Sequence, residues 1–93
     1  MEALEFEWDE EKASSNHDKH GIAFEDAALI FRDSRRVVRE DTREDYGEKR
    51  YQTIGRAGAL VLFVAYTIRR ARYRLITARR ASSEEREAYH GDR

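Results

Sequence analysis

The chain has 93 residues, 18 Lys/Arg against 19 Asp/Glu, and no cysteine. That length is one small domain with one core, so residues 1–93 are read as a single unit. The composition excludes disulfides and thiolate metal sites, and the expectation is no metal and no cofactor. The near-neutral total conceals a split: residues 1–47 hold 7 Lys/Arg against 14 Asp/Glu, and residues 48–93 hold 11 against 5. No acidic side chain lies between Lys49 and Ser83, where nine basic ones fall. A basic half suggests a polyanion-binding face, and mutual neutralisation of the two halves is the alternative.

The first residues carry glutamates and no basic residue, unlike a signal or transit peptide. The longest apolar run, Ala57–Tyr66, is too short to cross a bilayer. A soluble, cytoplasmic protein without a membrane segment is expected.

In chain order, Glu5–Trp8 is a short extended entry. Asp9 is an N-cap, with Glu10 and Glu11 suited to the first turn of a helix that reaches His20 and stops at Gly21. Lys12, Asn16 and His20 line up on one face of it, a polar stripe where leucines would be ordinary. Phe24, Ala27, Ala28 and Phe31 make the apolar stripe of a second helix over Phe24–Phe31. Val37–Val38 places a strand at Arg36–Glu40, and Asp41–Gly47 reads as a loop.

Lys49–Arg56 alternates, with Tyr51, Thr53 and Gly55 opposite Arg50, Gln52, Ile54 and Arg56. Ala57–Gly58 is a hairpin turn, and Ala59–Thr67 is apolar on both faces, as in a central strand covered on both sides. After a turn at Ile68–Ala71, the strand Arg72–Arg79 sets Tyr73, Leu75 and Thr77 opposite Arg72, Arg74, Ile76 and Ala78. Ser82 and Glu85 form a capping box that opens a last helix to Tyr89. The order gives an α+β domain, helices segregated from an antiparallel meander of about four strands.

Three constellations can carry chemistry. Arg56, Arg69, Arg70, Arg72, Arg74, Arg79 and Arg80 can grip phosphates with their planar donor forks, or be ordinary surface charge. Lys12, Asn16, Lys19 and His20 share the first helix; His20 can act as acid or base, or Asn16 and His20 can brace backbone groups at the helix end. Among the aromatics, Phe63 and Trp8 read as core. Tyr51, Tyr66 and Tyr73 read as half-buried strand residues with their hydroxyls in water, and Tyr89 can lie beside the arginines. Phosphate-loop, nucleophile-elbow and zinc-ligand patterns are absent from the sequence.

The strings Phe6-Glu7-Trp8-Asp9-Glu10-Glu11-Lys12, Asn16, Lys19-His20-Gly21-Ile22, Phe24 and Ala27 resemble the N-terminal signature of the BrnT toxins. Arg50-Tyr51, Ile54-Gly55-Arg56, Tyr66-Thr67, Thr77-Ala78-Arg79-Arg80-Ala81, Glu85, Arg86 and Tyr89 follow in the same family's order. The resemblance runs from about Glu5 to Tyr89. It implies a RelE-like fold, two N-terminal helices on a curved sheet plus a C-terminal helix, with Phe6 and Trp8 packing the first helix.

The same resemblance implies a toxin of a type II toxin–antitoxin system, a ribonuclease that blocks translation; metal-independent cleavage is the mechanism preferred for it. A BrnA-like antitoxin with a ribbon-helix-helix DNA-binding part would hold it, in a heterotetramer. Arg56, Arg79 and Arg80 would face the scissile phosphate, with His20 as a candidate base. Lys19, Arg72, Arg74 and Tyr89 would bind RNA. The 2′-hydroxyl would attack the phosphate and leave a 2′,3′-cyclic end. The rivals are a poison of a protein such as DNA gyrase and a non-catalytic nucleic-acid binder. Two departures stand out: no glycine in the turn Ile68–Ala71, and Ala23 where a serine would cap, at about 1 kcal/mol.

Overall fold

The computed structural model describes residues 4–91. Its elements are β1 (Phe6–Glu7), α1 (Glu10–His20), α2 (Phe24–Ala27) continuing into a 3₁₀ turn (Ala28–Arg32), β2 (Val37–Asp41), β3 (Arg50–Ala57), β4 (Leu60–Arg69), β5 (Arg72–Arg80) and α3 (Ser83–His90). The sheet has five strands in the order β1-β5-β4-β3-β2. The α+β reading holds, and the count of about four strands is corrected. The expected extended entry is a strand, and it runs parallel to β5 while the other four form the antiparallel meander. Tyr73 N donates to Glu5 O at 2.9 Å, and the Phe6 ring stacks on Tyr73 and meets Phe31. Phe6 therefore packs on the sheet and the 3₁₀ turn. Trp8 sits edge-on against Phe24.

The predicted caps form. Asp9 accepts from the amides of Glu11 and Lys12, and Gly21 closes α1 at φ 73°, where a Cβ would be strained. The second helix is shorter than expected because its second half tightens into the 3₁₀ turn. That turn puts Ile30 and Phe31 together into the core. Ile30 approaches β3 so closely that a Cβ at Gly55 would lie 3.0 Å from Ile30 Cβ. Ala23 supplies no side-chain cap, as its residue type dictates.

Two cores flank the sheet. On the helix side Phe24, Ala27, Ile30 and Phe31 cover Leu62, Val64, Tyr66, Leu75 and Ala78. On the other side Ile54, Phe63 and Ala81 pack with Val37, Val61, Ala65 and Tyr89 beneath α3. The β4 alternation thus serves both faces. In β5 the expected alternation fails midway. A bulge at Ile76 lets Tyr66 pair with Leu75 and Ala65 with Thr77. The extra residue reverses the parity, so Ala78 joins Leu75 in the helix-side core.

Tyr66 is also corrected. It is buried, and its hydroxyl shares a 2.8 Å hydrogen bond with Thr53 Oγ1 instead of facing water. Tyr51, Tyr66, Tyr73, Phe31 and Phe6 form one aromatic run on the helix side, so these rings are core and not a base-stacking platform. The turn without glycine is a two-residue hairpin in which Arg70 and Ala71 both take positive φ, 52° and 66°. Such a turn matches strand twist but is costly for residues with a Cβ.

Asn16 explains the polar stripe. It is buried and joins helix to sheet edge: Nδ2 donates to Ala78 O (2.9 Å) and Ile22 O (3.0 Å), and Oδ1 accepts from Ala78 N (3.0 Å). Beyond Arg74 the strand β1 no longer pairs with β5. The amide of Asn16 takes the place of a strand partner there. Of the two readings of that residue, the bracing one is correct.

Candidate functional site

The helix α3 is fastened at both ends, to β5 at its start and to the end of the 3₁₀ turn at its close. At its start Ser82 and Glu85 complete the capping box. Arg79 grips the Glu85 carboxylate with two hydrogen bonds, 2.8 and 2.9 Å, and lies over the Phe63 ring at 4.0 Å. This ion pair, together with the Ser82 amide, holds the Glu85 carboxyl below its ordinary range against the opposing effect of burial. At the other end the Tyr89 hydroxyl donates to Asp33.

Asp33 is a junction between three elements. Its Oδ1 accepts from Arg35 N at 2.9 Å, the local turn that an Asp-Ser sequence favours. Its Oδ2 accepts from Arg56 N at 2.9 Å and from Tyr89. Partial burial works to raise the Asp33 carboxyl. The Tyr89 hydroxyl, the two amides and the nearby Arg56 charge outweigh it, and the pKa is lowered. The hydrogen bond to Asp33, burial and the Asp33 charge in turn raise the Tyr89 phenol. At neutral pH the pair is a carboxylate and a neutral phenol donor.

Around this junction lies an open cleft of about 1010 Å³, lined by Arg35, Val37, Arg56, Tyr89 and His90 among others. Among the described residues no carboxylate comes within ion-pair distance of the Arg35 or Arg56 guanidinium. The cleft therefore offers two cationic forks, an imidazole and a phenol held by a carboxylate. This set can bind an anion and move a proton.

Of the residues singled out from the sequence, Arg56 and Tyr89 meet in this cleft. Arg79 and Arg80 do not share a site. Arg79 faces Phe63 on the α3 side, while Arg80 pairs with Leu62, a residue of the opposite core, and is exposed. Adjacent strand residues point to opposite faces, which separates the two guanidinium groups. Arg79 instead borders a depression of about 350 Å³ with Arg39, Gln52 and Glu85.

Arg72 is paired with Glu5 at 2.9 Å and Glu7 at 3.8 Å, and Arg74 with Glu7 at 3.1 Å. Here Glu5 and Glu7 of the acidic N-terminal segment neutralise two arginines of the basic half, in part the alternative allowed by charge alone. Lys19 and His20 line a separate depression of about 200 Å³ with Lys12, Ser15, Asn16 and Thr77. None of its lining residues belongs to the Asp33 cleft.

Sequence reasoning missed Asp33, Arg35 and His90. Asp33 carried a turn signal, but nothing local announces partners 23 and 56 positions away. No helix among the described residues is long and apolar enough to cross a membrane.

One family model matches residues 8–85, described as the ribonuclease toxin BrnT of type II toxin–antitoxin systems. The match takes in Asp33, Arg35 and Arg56 and ends before Tyr89 and His90. A search of curated proteins finds no match.

Proposed function

This chain belongs to the BrnT family of ribonuclease toxins of type II toxin–antitoxin systems, and we propose that it cuts RNA in the cleft around Asp33, Arg56 and Tyr89. The observation that carries this reading is the meeting of two arginines, without an ion-pair partner among the described residues, with a proton-transfer group in one recess. Arg56 and Arg35 hold the scissile phosphate and neutralise the charge that grows on it. His90 takes the proton of the 2′-hydroxyl as the new O2′–P bond forms. The P–O5′ bond breaks, and the departing 5′-oxygen takes a proton from water. The products are a 2′,3′-cyclic phosphate and a 5′-hydroxyl, and the chemistry calls on no metal.

Asp33 keeps Tyr89 oriented toward the cleft, and its bond to the Arg56 amide fixes the end of β3. Arg79 acts through Glu85, as the anchor of α3 and so of Tyr89 and His90. Arg80, exposed at the end of β5, is free to meet the RNA backbone outside the cleft. Arg72 and Arg74 reach RNA only by exchanging their glutamate partners for phosphate, which makes them weaker contacts.

Cleavage of this kind would stop translation. A BrnA-like antitoxin with a ribbon-helix-helix part would restrain it, two copies of each chain forming the complex. The test is incubation of the purified chain with end-labelled RNA in EDTA, with the new termini identified. Cyclic phosphate ends support the proposal. A folded protein that leaves RNA intact yet inhibits DNA supercoiling would replace it with the protein-poison reading.

A further inference from the structure

The depression beside α1 is left unused by the cleavage site, and it differs in charge from its neighbours. Arg69, Arg72, Arg74 and Arg79 are each ion-paired. Lys12 and Lys19 have no carboxylate within ion-pair distance among the described residues. No acidic side chain lines the recess that they share with Ser15, His20 and Thr77. The recess exists because β1 stops pairing at Arg74 and leaves the edge of β5 to α1.

We infer that this depression is a second phosphate-binding site, which holds the RNA backbone away from the cut. The inference rests on the reading that RNA is the substrate, and it names the part of the surface that grips it. Two hydrogen bonds of Asn16 to Ala78 lock α1 to β5, and a third to Ile22 O ties down the chain after α1, so the two lysines sit on a fixed frame. Seven residues of helix set their Cα atoms about 10 Å apart along the axis, within reach of neighbouring phosphates for flexible lysines. The hydroxyls of Ser15 and Thr77 and the ring N–H of His20 supply further donors between them. This arrangement recognises a repeating anion without reading bases, the usual division between positioning and specificity.

The experiment titrates a fluorescent oligouridylate with the wild-type chain and with the Lys12→Ala/Lys19→Ala variant across a range of salt. Each phosphate contact on a single strand contributes about 0.7 to the slope of log affinity against log salt, so two lost contacts lower it by about 1.4. The affinity gap between the two proteins then narrows about sevenfold from about 50 to about 200 mM salt. Cleavage of a long RNA should show a raised KM and an unchanged kcat. A control, Arg32→Ala/Lys49→Ala, removes the same charge elsewhere.

Equal slopes for wild type and the lysine variant would overturn the inference, and so would a control that lowers the slope as much. Circular dichroism of each variant establishes that it is folded. Binding is read without cleavage, so a chain that binds with the predicted slope but cuts nothing refutes the active-site proposal and leaves this one standing.

Discussion

Replacement of Asn16 by alanine tests the joint on which the fold and the second binding site both depend. The side chain makes three hydrogen bonds, all to backbone groups, at 2.9–3.0 Å. At about 1 kcal/mol for each, the loss is about 3 kcal/mol. It grows if the Ala78 amide and carbonyl stay dry, since a buried unpaired group costs a further 1–3 kcal/mol or so. A domain of this size has roughly 5–10 kcal/mol in all, so the variant is folded but fragile. With a urea dependence of about 1.5 kcal/mol/M, the unfolding midpoint falls by about 2 M.

Ser15→Ala, next in the chain and exposed, stays within about 0.5 kcal/mol of wild type. Asn16→Asp is worse than alanine, because it turns a carboxylate oxygen toward the carbonyls of Ile22 and Ala78. The assay is urea unfolding followed by Trp8 fluorescence and far-UV circular dichroism. An Asn16→Ala loss below about 1 kcal/mol would show that water replaces the amide at this edge, and the argument for a locked α1 would fail.

Other consequences are independent of that joint. Ala71→Gly relieves a positive φ of 66° and should stabilise by up to about 1 kcal/mol, a rise in Tm of about 4–8 °C by calorimetry. Asp33 and Glu85 have folded pKa values below their unfolded ones. Their contribution is therefore complete above the ordinary carboxylate range and is lost as pH falls through the folded values. Stability measured from pH 7 downward should decline in the acid range, and Glu85→Gln should flatten that decline. Tyr89→Phe removes the hydroxyl from Asp33 and should cost about 1 kcal/mol in urea unfolding while lowering cleavage, with RNA affinity little changed.

Much of the scaffold was legible because its signals are local. Asp9, Gly21, Ser82 and Glu85 mark helix ends through hydrogen bonds within a few residues. The apolar character of Ala59–Thr67 on both faces reports a strand covered on two sides directly. Two features were not legible. The β1–β5 pairing joins Phe6 to Tyr73 across the whole chain, and two residues are too few to show a period. The bulge at Ile76 inserts a residue that no pattern marks, and it undoes the parity assigned to Ala78.

The site divided in the same way. Arg56 and Tyr89 stood out by type and by resemblance. Asp33, which brings them together, is one aspartate among many until the chain folds. Arg79 and Arg80 looked like one cationic pair because they are adjacent in sequence, and strand geometry is what parts them.

The central claim is that Arg56, not the arginine pair at the end of β5, meets the scissile phosphate. Single-turnover cleavage of a labelled RNA by wild type, Arg56→Ala and Arg80→Ala, each verified as folded, tests it most directly. With Arg56 at the scissile phosphate, Arg56→Ala loses about 10²–10³ in rate, as expected for a lost donor to a transition-state oxyanion, while Arg80→Ala keeps its rate within about tenfold. Wild-type cleavage by Arg56→Ala, with loss confined to Arg80→Ala, would contradict this placement and move the active site to the opposite face of the sheet.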